Sequence, residues 1–496
     1  MAKPLDDPQT GIHRAKIWEI GLSALNNTST NIYMFAFMYI NYFLTGFVGI
    51  SVVLAGTIST LLRMWDGVTD PFIGVLIDKT NTKWGKNRPF LVLGNIILIV
   101  FSGIIYWVTP NLPQIARFHF YIVMYMLYII GYTFQCCVTK SAQTCLTNDP
   151  EQRPVFSMFN TVFGSLLQMV FPLIVVNILV PKYTVGDTSA FYNVSFYRAL
   201  WAVTVISSAI LAVLAVIGLR RKDVPKYFGT GQAQKLGFKD YWDVMKNNRA
   251  IQMMIVATCT DKVATSMRTN STVMICLFAI IMGNYAHYST LTAFATIPTI
   301  ILSLALYQFV ARKMGLKKAL LTSTYGGIVV SLLTFALLFF GDPTQMGIAT
   351  GNWNLWTIAF VVCFLLWNAF VGVGSDLGIT MSADCADYEV YRSGKYVPGL
   401  MGTLFSFIDK MISSLATTFV ALMFAAIGFT EELPVETTPY SSGIFWVTIV
   451  CFVGAPLIGW LFNIVAMKFY PLTKEKMEEI QAAIAEIKSK AAAAAN

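Results

Sequence analysis

Charge is scarce in this chain: 12% of its 496 residues are Asp, Glu, Lys or Arg, against roughly a quarter in a soluble globular chain, while 56% are hydrophobic. Such a composition excludes a solvated globule. Histidine is limited to His13, His119 and His287, which argues against metal centres and His-based catalysis. The eight cysteines, Cys136, Cys137, Cys145, Cys259, Cys276, Cys363, Cys385 and Cys451, fall mostly in apolar stretches with no C-x-x-C pair. They are expected to be free thiols rather than a disulfide frame or a zinc site. No G-x-x-x-x-G-K-[ST] phosphate loop occurs, so ATP-driven transport by this chain alone is disfavoured. No cleavable leader is expected, because the segment holding Asp6, Asp7, Arg14 and Lys16 has no apolar core.

What is present is apolar length. The mean hydropathy is +0.62, and apolar stretches of about 20 residues, enough to cross a bilayer, recur from end to end. They predict an all-α membrane protein of twelve spans at roughly 18–45, 49–77, 90–108, 119–146, 155–180, 196–218, 251–282, 288–311, 319–340, 355–383, 399–428 and 442–468. A basic connector with Arg220, Arg221, Lys222 and Arg249 splits them into two six-helix bundles, 18–218 and 251–468, joined by 219–250. The +9 net charge would suit nucleic acid, but its distribution is one of topology. Lys79, Lys83, Lys86 and Arg88 fill connector 2–3, and Arg312, Lys313, Lys317 and Lys318 fill connector 8–9. Glu431, Glu432 and Glu436 fill connector 11–12. Both termini, 1–17 and 469–496, are therefore expected in the cytoplasm. The partner is the lipid bilayer, and the chain is expected to act as a monomer. Thr57-Ile-Ser-Thr60 in span 2 echoes Thr296-Ile-Pro-Thr299 in span 8, a trace of duplication. Beyond Pro471 a charged helical stretch with Ile480, Ile484 and Ile487 is expected at the cytoplasmic membrane surface, and the Ala-rich run to Asn496 reads as an expression remnant.

An ionisable group at bilayer depth costs about 2.5–3.5 kcal/mol or more, so charges kept inside spans are candidate functional groups. Span 2 places Arg63, Asp66 and Asp70 at i, i+3 and i+7 on one helical face, with Trp65 beside them and Pro71 loosening the helix. Two carboxylates one turn apart can coordinate a hard monovalent cation or share a proton. The alternative is a packing network neutralised by Arg63. Span 11 carries Asp409 and Lys410, and Lys410 is an expected partner of Asp66 or Asp70. Candidate substrate contacts are Lys140 and Cys136 in span 4, Asp261, Thr265 and Arg268 in span 7, and Asp376 in span 10. The basic ones favour an anionic substrate; a charged gate in which they pair with Asp261 and Asp376 is the alternative. Span 1 holds Asn26, Asn27, Thr28, Ser29, Thr30 and Asn31, which either line a substrate path or tie helices together.

The run Arg63-x-Trp65-Asp66-x-x-x-Asp70-Pro71-x-x-Gly74-x-x-x-Asp78, followed by Thr82-Lys-Trp84-Gly85-Lys86-x-Arg88-Pro89, resembles the glycoside-pentoside-hexuronide:cation symporters of the major facilitator superfamily. Ala383-Asp384-x-x-Asp387-Tyr388, then Gly399 and Lys410, agrees with it. The loop 79–90 and the tail Phe469-Tyr470-Pro471-Leu472-Thr473 are similar to the glucuronide branch. The resemblance implies a major facilitator fold, a bacterial inner-membrane location, and cation-coupled import of a sugar, glycoside or hexuronide. It implies a sodium, lithium or proton site on Asp66 and Asp70, helped by Thr133, with Lys410 near. It implies gating at Asp78, Arg88, Arg153, Asp384, Asp387 and Tyr388. On the substrate side the chain departs from the melibiose-carrying members, whose Lys-Asp pair in span 1, Asp in span 4 and Arg in span 5 are matched here by Ser29 and Thr30, Cys136 and Thr161. Import of an amphiphilic lipid-like or drug-like molecule is a second reading, which an aromatic rather than polar cavity would favour. An embedded enzyme or sensor is a third, unsupported by any nucleophile–His–acid set.

Overall fold

The structure is a computed structural model that describes residues 6–7, 12–80, 82–147, 149, 152–227, 245–393, 407–473, 475–480 and 482–483. Apart from a short antiparallel pairing of β1 (Asp6–Asp7) with β2 (Ile12–His13), its described elements are helices. The principal ones of the first half are α1 (Ile17–Ala36), α2 (Val52–Lys79), α3 (Arg88–Val108), α4 (Gln114–Leu146), α5 (Arg153–Ile174) and α6 (Val194–Leu219). Those of the second are α7 (Arg249–Arg268), α8 (Ala286–Met314), α9 (Leu316–Phe340), α10 (Leu355–Ser393), α11 (Leu415–Ala426) and α12 (Ala455–Phe469). Among the described residues nine helices are long and apolar enough to cross a membrane, and ten if a pair bent by 47° counts as one span. The bent pair is α7 with Ser271–Ile281, and the break falls where Asn270 caps a new helix by accepting from Thr272 N–H at 3.0 Å. Helices α2 and α8, of 28 and 29 residues, have the length to cross but are not among the ten. In α2 the cause is the charge it carries, Arg63, Asp66 and Asp70.

Two compact units result. The first combines Met1–Gln232 with Tyr288–Ala293 and Phe424–Pro439; the second combines Ala233–His287, Phe294–Met423 and Tyr440–Asn496. In the first, Ile20, Ile73, Leu91, Phe134, Val138 and Leu219 form a buried core shared by five helices. The segment Phe424–Pro439 is tied into that unit by side chains the helices end on. Tyr42 donates to Pro434 O at 2.9 Å, Tyr192 donates to Leu433 O at 3.0 Å, and Ser189 donates to the Glu436 carboxylate at 2.7 Å.

The second unit's core joins Ile251, Met254, Leu320, Leu377, Met381, Cys385, Met467 and Tyr470. Helix α10 outruns its expected end at 383 because residues 384–393 continue to pack, with Glu389 buried and bonded to Asn248 at 2.9 Å. The tail also departs from expectation. Ile480 is fully buried in this core, and Tyr391 donates to Glu479 at 3.1 Å, so residues 475–480 dock on protein; Ile484 and Ile487 lie outside the described residues. Burial of one large aliphatic side chain favours docking by roughly 1.5–3 kcal/mol.

Candidate functional site

In the first unit α2 and α4 bring the expected acid and its accessory ligand together. Asp66 is 5% exposed, and its Oδ1 accepts from the Thr133 hydroxyl at 3.0 Å. Thr69, on the next turn of α2, lies 2.9 Å from the Thr133 oxygen. Each hydroxyl has an alternative acceptor on its own helix: Ile129 O for Thr133 and Asp66 O for Thr69, both at 3.0 Å. Both protons can therefore turn away, leaving two hydroxyl oxygens and a carboxylate as a cluster of acceptors, which suits a hard cation. Asp70 is half-buried one turn on, Arg63 is exposed, and the buried Trp65 indole N–H has no partner among the described residues.

An aromatic wall continues from this point along α4. Tyr121, Tyr125, Tyr128 and Tyr132 recur every turn or two, and Phe37 stacks on Tyr128 with centroids 4.5 Å apart and meets Tyr125 at 5.5 Å. Tyr125 and Tyr132 are within electrostatic reach of Arg63 and Asp66. The stripe was visible as i, i+4, i+7 and i+11 spacing, a signal lost among the many aromatics.

Asn26, Ser29 and Thr30 in the polar middle of span 1 go to packing, while Asn27 and Asn31 are half-buried. Ser29 and Thr30 are 0% and 1% exposed. Ser29 bonds Ser208 of α6 at 2.8 Å, Asn95 of α3 donates to Ser208 Oγ at 2.8 Å, and Asn26 donates to Thr139 of α4 at 2.7 Å. This is the helix-tying alternative, and it leaves neither hydroxyl open to a ligand. Cys136 is half-buried, while Lys140 and Thr161 are exposed.

Asp223 occupies the N-terminus of α3. Its carboxylate is fully buried and accepts from the backbone N–H groups of Lys86, Asn87 and Arg88 at 3.1, 3.0 and 2.9 Å, and from Asn87 Nδ2 at 3.0 Å. Arg88 Nε adds an ion pair at 3.5 Å. Backbone donors and the helix dipole together make this an anion seat, filled by the protein's own carboxylate. Gly85 turns the loop at φ +101°, and a Cβ there would collide with Asp223. Asp223 escaped sequence reasoning because it sits in a connector read only for its basic residues. The neighbouring connectors are tied too, by Arg221–Glu19 at 2.9 Å and by Arg14–Asp149.

In the second unit, Lys262 pairs with Asp409 at 3.3 Å, and Asp261 accepts from Asn463 of α12 at 2.6 Å. No ion pair between Arg268 and Asp261 is found among the described residues. Arg268 is 1% exposed, with its guanidinium 3.7 Å from the Trp367 ring and 3.6 Å from the Phe452 ring, and it donates to Phe452 O at 2.9 Å. Thr265 and Lys410 are half-buried. Asp384, Asp387 and Tyr388 lie half-buried on the extension of α10, where burial, and then the Asp387 carboxylate, push the Asp384 carboxyl up to about 6. The side chains of Asp78, Arg153 and Asp376, and Gly399 entirely, lie outside the described residues.

An all-helical chain of this length and polarity, with costly charges held inside its helices, has the fold of a membrane transporter. It is similar to the solved nucleoside transporter NupG, with a TM-score of 0.61 at 15% identity, covering 92% of this chain and 100% of that one. The chain belongs to the MFS/sugar transport protein family, whose model matches residues 27–474. It is an integral, multi-pass membrane protein. Among curated relatives it is 22% identical over 449 residues to the glucuronide carrier protein homolog of Escherichia coli, covering 90% of each chain. It is 24% identical over 479 residues to the isoprimeverose transporter of Lactiplantibacillus pentosus, covering 95% of this chain and 93% of that one.

Proposed function

We propose that this chain is a cation-coupled symporter that imports a sugar, glycoside or hexuronide across a bacterial inner membrane by alternating access. The observation that carries the reading is the buried Asp66 carboxylate with the Thr133 and Thr69 hydroxyls beside it, a group of oxygen acceptors at a depth where an unserved carboxylate is expensive. The names of the relatives, a glucuronide carrier homolog and an isoprimeverose transporter, support a glycosidic substrate. In this scheme Asp66 and Asp70 take the cation, with Thr133 as accessory ligand and Lys410 as the group whose pairing the cation alters. Arg63 tunes the charge of that face. Sugar hydroxyls meet polar and aromatic side chains, for which Trp65, Cys136, Lys140, Thr161, Thr265 and Asp376 are the candidates, joined by the tyrosines of α4. Ser29, Thr30 and Arg268, being sealed in packing, serve by positioning helices. Asp384, Asp387, Tyr388, Arg88, Asp78 and Arg153 act at the cytoplasmic gate, with Asp223 holding the loop that carries Arg88. The chain works as a transporter and not as an enzyme.

The test is uptake into liposomes holding the purified full-length protein, with neutral and acidic glycosides offered under separate sodium, lithium and proton gradients. Accumulation of at least one glycoside under one of these gradients is expected. Transport of none of them, beside uptake of amphiphilic lipids, would overturn the sugar reading in favour of an amphiphile carrier.

A further inference from the structure

Asp261 has one hydrogen-bond partner among the described residues, and that partner is itself incomplete. Asn463 Nδ2 donates to Asp261 Oδ2 at 2.6 Å, and Asn463 is fully buried. The two remaining oxygens, Asp261 Oδ1 and Asn463 Oδ1, are both sealed from solvent and without a hydrogen-bond partner among the described residues. Both are acceptors. A carboxylate and a carboxamide joined by one bond, each keeping a second buried oxygen without a donor, are costly to hold so inside a membrane protein on two counts, the unpaired charge and the two unmade bonds.

The surrounding charges do not supply it. On α7 itself, Lys262 is engaged by Asp409 at 3.3 Å and Arg268 is held between the Trp367 and Phe452 rings. The span Phe407–Ala426 offers Asp409 and Lys410, α12 has only Lys468 in its last turn, and α10 carries Asp376, Asp384, Asp387, Glu389 and Arg392, with Arg392 paired to Glu389 at 2.7 Å. No ion pair of Asp261 is found among the described residues.

The space is also informative. One turn before Asn463, Gly459 packs against α7 so closely that a Cβ there would lie 2.9 Å from Ala264 Cβ and 3.0 Å from Thr260 O. Helices in near backbone contact have no room for a hydrated ion, whereas a proton needs none. A planar carboxyl and a planar carboxamide joined by one N–H···O bond close a second bridge when the carboxyl carries a proton, which it donates to the amide oxygen.

We propose that Asp261 and Asn463 form a proton-binding pair in the second unit, a cation site separate from Asp66 and Asp70. Proton uptake completes the two-bond carboxyl–carboxamide ring between α7 and α12; release leaves a bare carboxylate facing a carbonyl and loosens that crossing.

The experiment uses the full chain carrying D66N, D70N and D384N, reconstituted in lipid, so that its outcome is independent of the first site and of the Asp384 carboxyl, which burial brings into the same pH range. Infrared difference spectra are recorded across roughly pH 5 to 9 in choline buffer, then with sodium or lithium added. A protonated-carboxyl band that shifts on deuteration is expected, is lost when D261N is added, and is unmoved by sodium or lithium. In N463L, which keeps Asp261, the band is expected to shift because its acceptor is gone; this arm stands if D261N does not fold. A band that survives D261N, that fails to move in N463L, or that is absent at every pH would overturn the proposal. So would a response to sodium or lithium and none to pH.

Discussion

Thr133 reaches across from α4 to place its hydroxyl 3.0 Å from Asp66 Oδ1, and the same oxygen lies 2.9 Å from Thr69. The contact crosses between helices far apart in sequence, so it holds α2 against α4 and shapes the acceptor cluster at once. Removing the hydroxyl leaves a buried carboxylate short of a bond, a loss of roughly 1–3 kcal/mol. Thr133→Ala is expected to weaken the apparent affinity for the coupling cation about tenfold, and Thr133→Ser to restore most of it. The check is the cation concentration for half-maximal uptake, with protein in the membrane measured alongside.

Asp66→Asn and Asp70→Asn keep side-chain shape and remove charge. Each is expected to abolish gradient-driven accumulation while preserving some downhill exchange, because the cation supplies the driving force and not the passage of substrate. Counterflow and active uptake on the same liposomes separate the two. If both variants still concentrate substrate, the coupling site lies elsewhere.

Asp223 and Gly85 make a matched pair of tests at the loop that leads into α3. The carboxylate accepts three backbone bonds and one side-chain bond, and Gly85 supplies the φ of +101° that lets the loop approach it. Asp223→Ala is expected to cost about 2–4 kcal/mol, since several buried donors lose a charged acceptor together. Gly85→Ala is expected to destabilise as well, through positive φ and the collision with Asp223. A fall in Tm for both is the measurement, and an unchanged Tm in Asp223→Ala would show that the loop is held by something else.

Much of the fold was legible because long apolar runs and acids inside them are local properties of the chain. Arg63, Asp66 and Asp70 fall on one face of α2 by spacing alone, and Thr133 followed from the resemblance. What stayed hidden depends on which distant residue arrives. Asp223 seats a loop 136 residues away, and Asn463 meets Asp261 across 202. The hydroxyls and amides of span 1 posed a different problem. Polar groups in a membrane helix either face a path or satisfy each other, and composition is the same in both cases. Only the positions of Ser208, Asn95 and Thr139 show that the Ser29 hydroxyl and the Asn26 amide N–H are engaged in packing. Arg268 follows the same logic: a buried cation suggests a carboxylate, yet Trp367 and Phe452 are what it finds.

The Asp384 carboxyl gives the far end of α10 a pH signature. It lies on α10 beyond the apolar stretch Leu355–Gly374, and burial, then Asp387, raise it from 3.8 to about 6. In this window the folded chain binds more protons than the unfolded one, so stability falls as pH rises. The favourable contribution is complete below pH 3.8 and is lost as pH passes about 6. Asp384→Asn removes the charge that burial opposes. It is therefore expected to be more stable than the parent protein at neutral pH, by about 1 kcal/mol once partial exposure is allowed for, with the advantage vanishing in acid. Tm measured for both proteins at a series of pH values checks it, and parallel curves would show that Asp384 does not titrate in this range.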